Sequence, residues 1–523
     1  MREKTYWRIL GILTGVFVIM MGMINLLVIF FKHGTNYIWK KEFLIAEPLL
    51  AMGAVLTFFL LFFLRNRFQG EAHANRQEKA IRWASVLLFL LQIYICYNIY
   101  FETDWDVQVI VSNARSILAG HPEELNNGYF SRYPTNMFLL WFVTNCLKWN
   151  QVIGVLDTES GYMFMITIQC LMATGAGYIL FHLIYDFTRR YLLAWSGWVM
   201  FLILVGLPSW ILIPYTDSLG LIFPVLLFGC YKKTKQGEHR ILYTILFLLL
   251  SVIGFRIKPQ IFIICIAIFL VEFLHNLFRL RGKQMALCLL AAVGVIIGVK
   301  VEDICLANWA EHSGFVLNAE EEIGWTHFLM MGSNRESNGV YTDSDVEFSI
   351  AIKDPKERKA ENLRVVKERI SSYGLGETGK HIAKKMLVNY GDGTFAFGNE
   401  GVFYMKESEL KNSYMAPKLR SFFWSKGENY PKNAVIKQFI WIAVLLFSLG
   451  NLCLIRKKSQ EKELMVILMV SIIGLTLFEI LFEARARYLY TYVPLFILIA
   501  FKGMDEWMNR LEWRKEYGTK SQK

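Results

Sequence analysis

Tyr100–Trp141 reads YFETDWDVQVIVSNARSILAGHPEELNNGYFSRYPTNMFLLW. It lies between apolar segments long enough to cross a bilayer. It opens on two carboxylates, Asp104 and Asp106. An amphipathic run follows. Val107, Ile110, Val111, Ala114, Ile117 and Leu118 share one helical face, and Gln108, Ser112, Arg115 and Ser116 take the other. Pro134 starts the next apolar helix. Acids at the mouth of a helix bundle, followed by a helix lying in the interface, make a water-facing site at the membrane boundary. Ionisable groups are expensive there, so function is the default reading against a solvated loop with incidental acids.

The rest of the chain supports the membrane setting. Its 523 residues are 54% apolar and 19% charged, less charge than a soluble protein of this length carries. Apolar stretches recur from Trp7–Phe31 to Tyr488–Phe501, about thirteen on the criterion of ~20 apolar residues, several of them short. The fold class expected is therefore all-α and polytopic, with about 12–13 transmembrane helices. The net charge of +12 does not point to nucleic acid. Lys and Arg cluster in short loops between apolar segments, which is the positive-inside pattern. The eight cysteines lie in or beside apolar segments without paired spacing, and read as small core residues.

Orientation follows from the same residues. The basic loops at 65–82, 189–190, 232–240, 279–283 and 456–462 and the tail after Lys502 are expected in the cytoplasm. The Asp104 loop, the turns at 214–217, 256–258 and 483–487, and the long polar stretch 308–432 then face outward. If Pro134–Leu147 crosses fully, the loops on its two sides cannot both obey the rule, so it is re-entrant or the rule fails locally. The expected organisation is 1–82, two N-terminal helices; 83–307, a transmembrane core with an external loop at 100–134; 308–432, a small external domain, helical in part and folded down on the bundle; 433–502, C-terminal helices; and 503–523, a cytoplasmic tail. Within 308–432, Asp354 and Pro355 start a charged helix, Thr378 is placed to cap another, and GDGTFAFGNEG (Gly391–Gly401) forms a Gly and aromatic loop.

Four polar groups converge on the outer face in this topology. Asp104 and Asp106 can serve as a general base or hold a divalent ion. Asp217 follows a Pro turn at a helix start, where an N-cap is the plain alternative. Arg256 and Lys258 sit at an external helix break, where snorkelling to headgroups is the alternative. Glu483, Arg485, Arg487 and Tyr488 lie between two late helices, and external cations need an anionic partner, either phosphate or a neighbouring Glu479 or Glu483. A base, a second acid and several phosphate-binding cations are what sugar transfer from a lipid-linked phosphate requires. Tyr133, Trp325, His327, Tyr341 and Tyr488 are candidates to contact the substrate. If a metal such as Mg2+ or Mn2+ takes part, its ligands come from Asp104, Asp106 and Asp217.

From Trp83 to Phe501 the chain resembles the GT-C class of integral membrane glycosyltransferases, most like the protein O-mannosyltransferase and aminoarabinose-transferase group. The shared features are an acid after the first core helix, an amphipathic external helix ending in ARSIL, a Pro-started second helix, a later external domain and a final external Arg-Tyr. The resemblance places the loop acid on Asp106 by its distance from Arg115, and the second acid on Asp217. Relatives carry H-P-P or K-P before the second helix. This chain has Tyr133-Pro134 after Arg132, so that Lys is absent and Arg132 is its candidate substitute. The resemblance implies a bacterial cytoplasmic-membrane enzyme with an external site. Its donor would be a polyprenyl-phosphate sugar, and its acceptor an envelope glycan, lipid or protein. Two other readings compete. A flippase or transporter for lipid-linked glycans predicts repeats and intramembrane charges. A glycan polymerase or ligase would share the site chemistry but use diphosphate donors.

Overall fold

The computed structural model describes residues 2–31, 45–65, 71–153, 161–403 and 413–518. The very end of the expected cytoplasmic tail, 519–523, and part of the expected external domain, 404–412, lie outside the described residues. The architecture is all-helical. Among the described residues nine helices are long and apolar enough to cross a membrane: Arg2–Phe30, Glu47–Leu64, Ala74–Ile99, Tyr162–Thr188, Arg240–Ile257, Pro259–Phe278, Gly282–His312, Tyr430–Leu454 and Gln460–Leu481.

The expected 12–13 spans shrink because several apolar stretches are too short or too irregular. The helix begun near Pro134 runs Met137–Ile153, about 26 Å against a ~30 Å hydrocarbon core. The Tyr191–Gly206 helix ends in a π-turn, Leu202–Gly206, and the chain then runs irregularly to Tyr215. The stretch around Leu219–Tyr231 folds as Phe223–Gln236, of 14 residues. The last apolar stretch begins with a 3-10 segment, Ala486–Tyr492, and its following helix, Val493–Gly518, carries Lys502, Asp505 and Glu506.

The stretch 308–432 is not a free-standing body. The Gly282–His312 helix runs past its expected start. The following loop lies on the Asn127–Arg132 helix: Val316 N donates to Asn127 Oδ1 at 2.9 Å and Asn318 N to Ser131 Oγ at 2.9 Å. Asp354 caps the long Pro355–Tyr390 helix through Glu357 N at 2.7 Å. That helix breaks at Gly374 (φ 64°), and Thr378 does not cap; its hydroxyl donates back to Gly374 O. Lys385 fastens the segment to the bundle by donating to Gly332 O, Ile480 O and Phe482 O at 2.6–2.8 Å. Two of those carbonyls terminate the Gln460–Leu481 helix, where a cation meets the negative end of the dipole.

The GDGTFAFGNEG loop goes into the bundle. Asp392 folds it by accepting from Thr394 N, Thr394 Oγ1 and Ala396 N. Trp210 Nε1 donates to Phe395 O at 3.0 Å and Gln438 Oε1 accepts from Gly393 N at 2.7 Å. A Cβ on Gly393 would stand 2.6 Å from Lys437 O, so only glycine lets the loop approach this closely. Irregular backbone at such depth is tolerated where protein surrounds it and satisfies its polar groups. The loop delivers Glu400, buried on the following helix.

Candidate active site

The amphipathic run forms the helix Trp105–Ala119, closed by Gly120 at φ 76°. Val107, Ile110, Val111 and Ala114 are buried, as the sequence pattern requires, and the helix lies on Met137–Ile153. Asp104 is at the N-cap position and Asp106 in the first turn. Trp105 between them has φ 51°, a left-handed conformation costly for a residue with a Cβ. Asn113 Oδ1 accepts from Asn126 N at 2.7 Å, and Asn126 caps the next helix at Tyr129 N. This folds Tyr129 back over Asp106.

Two phenols hold the Asp106 carboxylate. Tyr129 donates to Oδ1 at 2.8 Å and Tyr215 to Oδ2 at 3.0 Å. Asn136 Nδ2 donates to the Tyr129 oxygen at 2.6 Å. Burial, then the neighbouring Asp106, raises both phenol pKa values, so both hydroxyls stay protonated and donate. A carboxylate oxygen has two lone-pair directions, so each oxygen of half-buried Asp106 keeps one for another donor.

The late cations reach the same place. Arg487 is 6% exposed, yet its guanidinium carbon lies 4.6 Å from the Trp105 ring centroid and 5.5 Å from that of Tyr215. Arg487 Nη1 is 3.4 Å from Glu400 Oε2, and Arg485 Nη1 is 3.2 Å from Glu400 Oε1. Arg485 Nε also donates to Glu483 Oε1 at 2.7 Å, and Tyr488 OH to Glu483 Oε2 at 2.9 Å. Burial alone would raise the Glu483 pKa; the Arg485 and Arg487 guanidiniums outweigh it and hold the carboxyl below its usual range. Burial likewise opposes the Arg487 charge, and Glu400 together with Asp217 outweighs it, so the guanidinium is held firmly charged. Among the described residues neither Glu400 oxygen accepts a hydrogen bond, and Arg487 Nε and Nη1 make none. These groups neutralise one another without using up their hydrogen-bonding capacity.

Asp217 does not cap a helix. It is 1% exposed and pairs with Lys258, whose ammonium lies 4.6 Å from the Tyr488 ring centroid. Asp217 Oδ2 accepts no hydrogen bond among the described residues. Burial pushes the Lys258 pKa down, and Asp217 only partly offsets it. Asp106, Asp217, Lys258, Arg485, Arg487 and Tyr488 thus form one connected cluster drawn from four separate parts of the chain.

The other sequence candidates divide. Tyr133 stacks near Tyr129, with ring centroids 5.3 Å apart, and the Tyr341 ring lies 5.9 Å from the Arg485 guanidinium. Both border the cluster. Arg132 is held by Gly128 O through Nε at 2.9 Å. Arg256 turns away, to Val299 O at 2.8 Å and to Glu302 and Asp303 on the Gly282–His312 helix, so it tethers two helices. Trp325 is 54% exposed beside Lys359. His327 is buried against Ser349 Oγ at 2.8 Å, inside the packing of the polar segment. His327 nonetheless lies near enough to Glu483 for that carboxylate to oppose the drop that burial imposes on its pKa. The metal trio does not gather: phenols take Asp106, Lys258 takes Asp217, and among the described residues no three His, Cys, Asp or Glu side chains form a metal-binding group.

Sequence reasoning missed Glu400, Tyr129, Tyr215 and Trp105. Tyr215 is two residues before Asp217 and Trp105 directly precedes Asp106, a proximity that was a usable signal. Glu400 carried none, because only the insertion of its loop brings it to the arginines.

Among the described residues, nine helices long and apolar enough to cross a membrane mark a multi-pass integral membrane protein. The chain belongs to the family described as conserved hypothetical integral membrane protein, which it matches over residues 3–507. No curated protein and no solved structure matches it.

Proposed function

We propose that this chain is a membrane glycosyltransferase that moves a sugar from a polyprenyl-phosphate donor to a cell-envelope acceptor, with Asp106 as general base on the external face. One observation carries the reading. Tyr215 donates its hydroxyl to Asp106 while its ring flanks the Arg487 guanidinium. A proton acceptor and a phosphate-competent cation therefore lie on either side of a single side chain.

The chemistry follows from that spacing. The acceptor hydroxyl presents its proton to Asp106 and its oxygen to the anomeric carbon of the sugar. The new carbon–oxygen bond forms as the bond from that carbon to the phosphate oxygen breaks. The proton passes to Asp106 and the electron pair leaves with the polyprenyl phosphate. Arg487, with Arg485, supplies a planar fork for that phosphate. Lys258, against the same Tyr488 ring as Arg487, adds a third charge. Tyr129 and Tyr215 orient the base, and Tyr133 and Tyr341 border the place where the sugar would sit.

The test is direct. Purified protein is incubated with labelled polyprenyl monophosphate and diphosphate sugars, and consumption of each is followed. The proposal expects the monophosphate to be used. Use of the diphosphate alone would favour a polymerase or ligase. Use of neither, with vesicle-to-vesicle movement of the intact lipid, would favour a flippase.

A further inference from the structure

The end of the bundle opposite the acid–cation cluster holds a cavity. The Arg240–Ile257 helix runs about 27 Å from Arg240 to the turn that carries Lys258. The Pro259–Phe278 and Gln460–Leu481 helices likewise leave or enter the cluster at one end and reach the cavity at the other. The cavity measures about 590 Å3. Its walls are apolar, with Phe247, Leu248, Ile268, Phe269 and Leu287 among them. One wall is the Gly282–His312 helix, of whose span only 6% is buried within the protein, so the cavity lies beside a face left to lipid.

Its rim is cationic and incompletely matched. Arg240, Arg279 and Arg281 stand at the mouth. Arg240 and Arg281 are exposed and form no ion pair among the described residues. Arg279 meets only the exposed Glu3, at 3.9 Å. The two acids inside are already engaged: Glu272 by Lys235 at 2.7 Å and the Tyr231 hydroxyl, Glu463 by His275 at 2.8 Å. The adjoining cavity, about 480 Å3, makes the contrast. There Lys232 and Arg189 both meet Asp186, Lys457 meets Glu506, and Lys502 meets Glu461 and Glu506, so each cation has an acid within the cavity itself.

From this juxtaposition, an unmatched arginine rim above an apolar cavity beside a lipid-facing helix, we infer that the 590 Å3 cavity is a binding site for an anionic phospholipid. The phosphodiester headgroup lies among Arg240, Arg279 and Arg281, and an acyl chain enters between the Arg240–Ile257 and Gly282–His312 helices. The Lys and Arg distribution assigns this end to the cytoplasmic leaflet, where anionic lipids are found. Trp7 lines the same mouth, as tryptophan does at headgroup depth. This inference is independent of the proposed sugar transfer.

The experiment uses the full chain in nanodiscs of phosphatidylcholine doped with phosphatidylglycerol. Lipids that stay bound after extraction into detergent are counted by native mass spectrometry. The expected result is retained phosphatidylglycerol in preference to phosphatidylcholine. Retention should weaken about fivefold for each arginine removed in R240A and R281A, and on the order of 100-fold in R240A/R279A/R281A. K283A, which removes an exposed cation beside the rim that does not line the cavity, should leave it unchanged. Equal retention of the two lipids, or a triple variant that holds phosphatidylglycerol as the parent does, would overturn the assignment. So would equal loss in K283A, or displacement by excess inorganic phosphate. The arginines are surface-exposed, and a thermal melt of each variant checks that the fold is kept.

Discussion

The Arg487 guanidinium carbon lies 4.6 Å from the ring centroid of Trp105, the residue that immediately precedes Asp106. This contact ties the last turn between helices to the first polar loop. A desolvated cation–π contact contributes on the order of 2 kcal/mol, and lysine offers neither the plane nor the fork. R487K should therefore raise the KM for a polyprenyl-phosphate sugar by about 10- to 30-fold, with the protein still folded and inserted. Steady-state titration of the donor checks this, and an unchanged KM would assign Arg487 to structure.

Glu400 sits between Arg485 and Arg487, the cations proposed to hold the donor phosphate. Its removal leaves the buried Arg487 guanidinium short of its anion, while Arg485 keeps Glu483, a change that destabilises by roughly 3–5 kcal/mol when a buried pair is broken. E400Q should melt lower than the parent, and inorganic phosphate should restore more of the loss in E400Q than it adds to the parent. Melting curves with and without phosphate read this out. An equal response in both proteins would contradict a phosphate site at this position.

Asp106, Asp217, Lys258, Arg485 and Arg487 were legible in the sequence because each is a charge at the end of an apolar segment, where desolvation leaves few bland reasons for it. The interfacial helix was legible from its 3.6-residue period, and the long polar helix from its Asp354–Pro355 start. Arg256 looked equivalent to Lys258 because they are two residues apart; in the structure one faces the cluster and the other the Gly282–His312 helix. Glu400 was invisible because its place depends on a loop whose Gly393 contacts run to a helix more than forty residues away. Nine helices among the described residues are long and apolar enough to cross, against the 12–13 expected, because apolar composition also counts stretches such as Phe223–Gln236 and Tyr191–Gly206 that fold as short or irregular helices.

His327 offers a pH test of the polar segment. Burial lowers its pKa to about 4, with Glu483 and Asp345 opposing the shift, against about 6.5 when unfolded. The unfolded chain therefore binds the proton more readily between these values, and stability rises with pH from about 4 to 6.5. The contribution is on the order of 3 kcal/mol. Acidifying across this window should lower the melting temperature, and H327N should flatten that part of the profile. A parallel profile in H327N would assign the acid sensitivity elsewhere.

Topology can be read by labelling. Leu375 is 96% exposed at the break in the polar segment, and Lys458 is exposed in a basic loop at the opposite end. In intact cells an impermeant maleimide should modify L375C and should reach K458C only after permeabilisation, each scored against the parent chain. The reverse pattern would place the acid–cation cluster in the cytoplasm and contradict an external active site.

The most direct measurement is single-turnover sugar transfer from a labelled polyprenyl-monophosphate donor by the parent chain and by D106N. A general base typically contributes about 100- to 10,000-fold, so D106N should lose turnover by that order while keeping donor affinity. Y129F and Y215F, which remove only orienting hydroxyls, should lose less. Near-normal turnover in D106N would contradict the central claim.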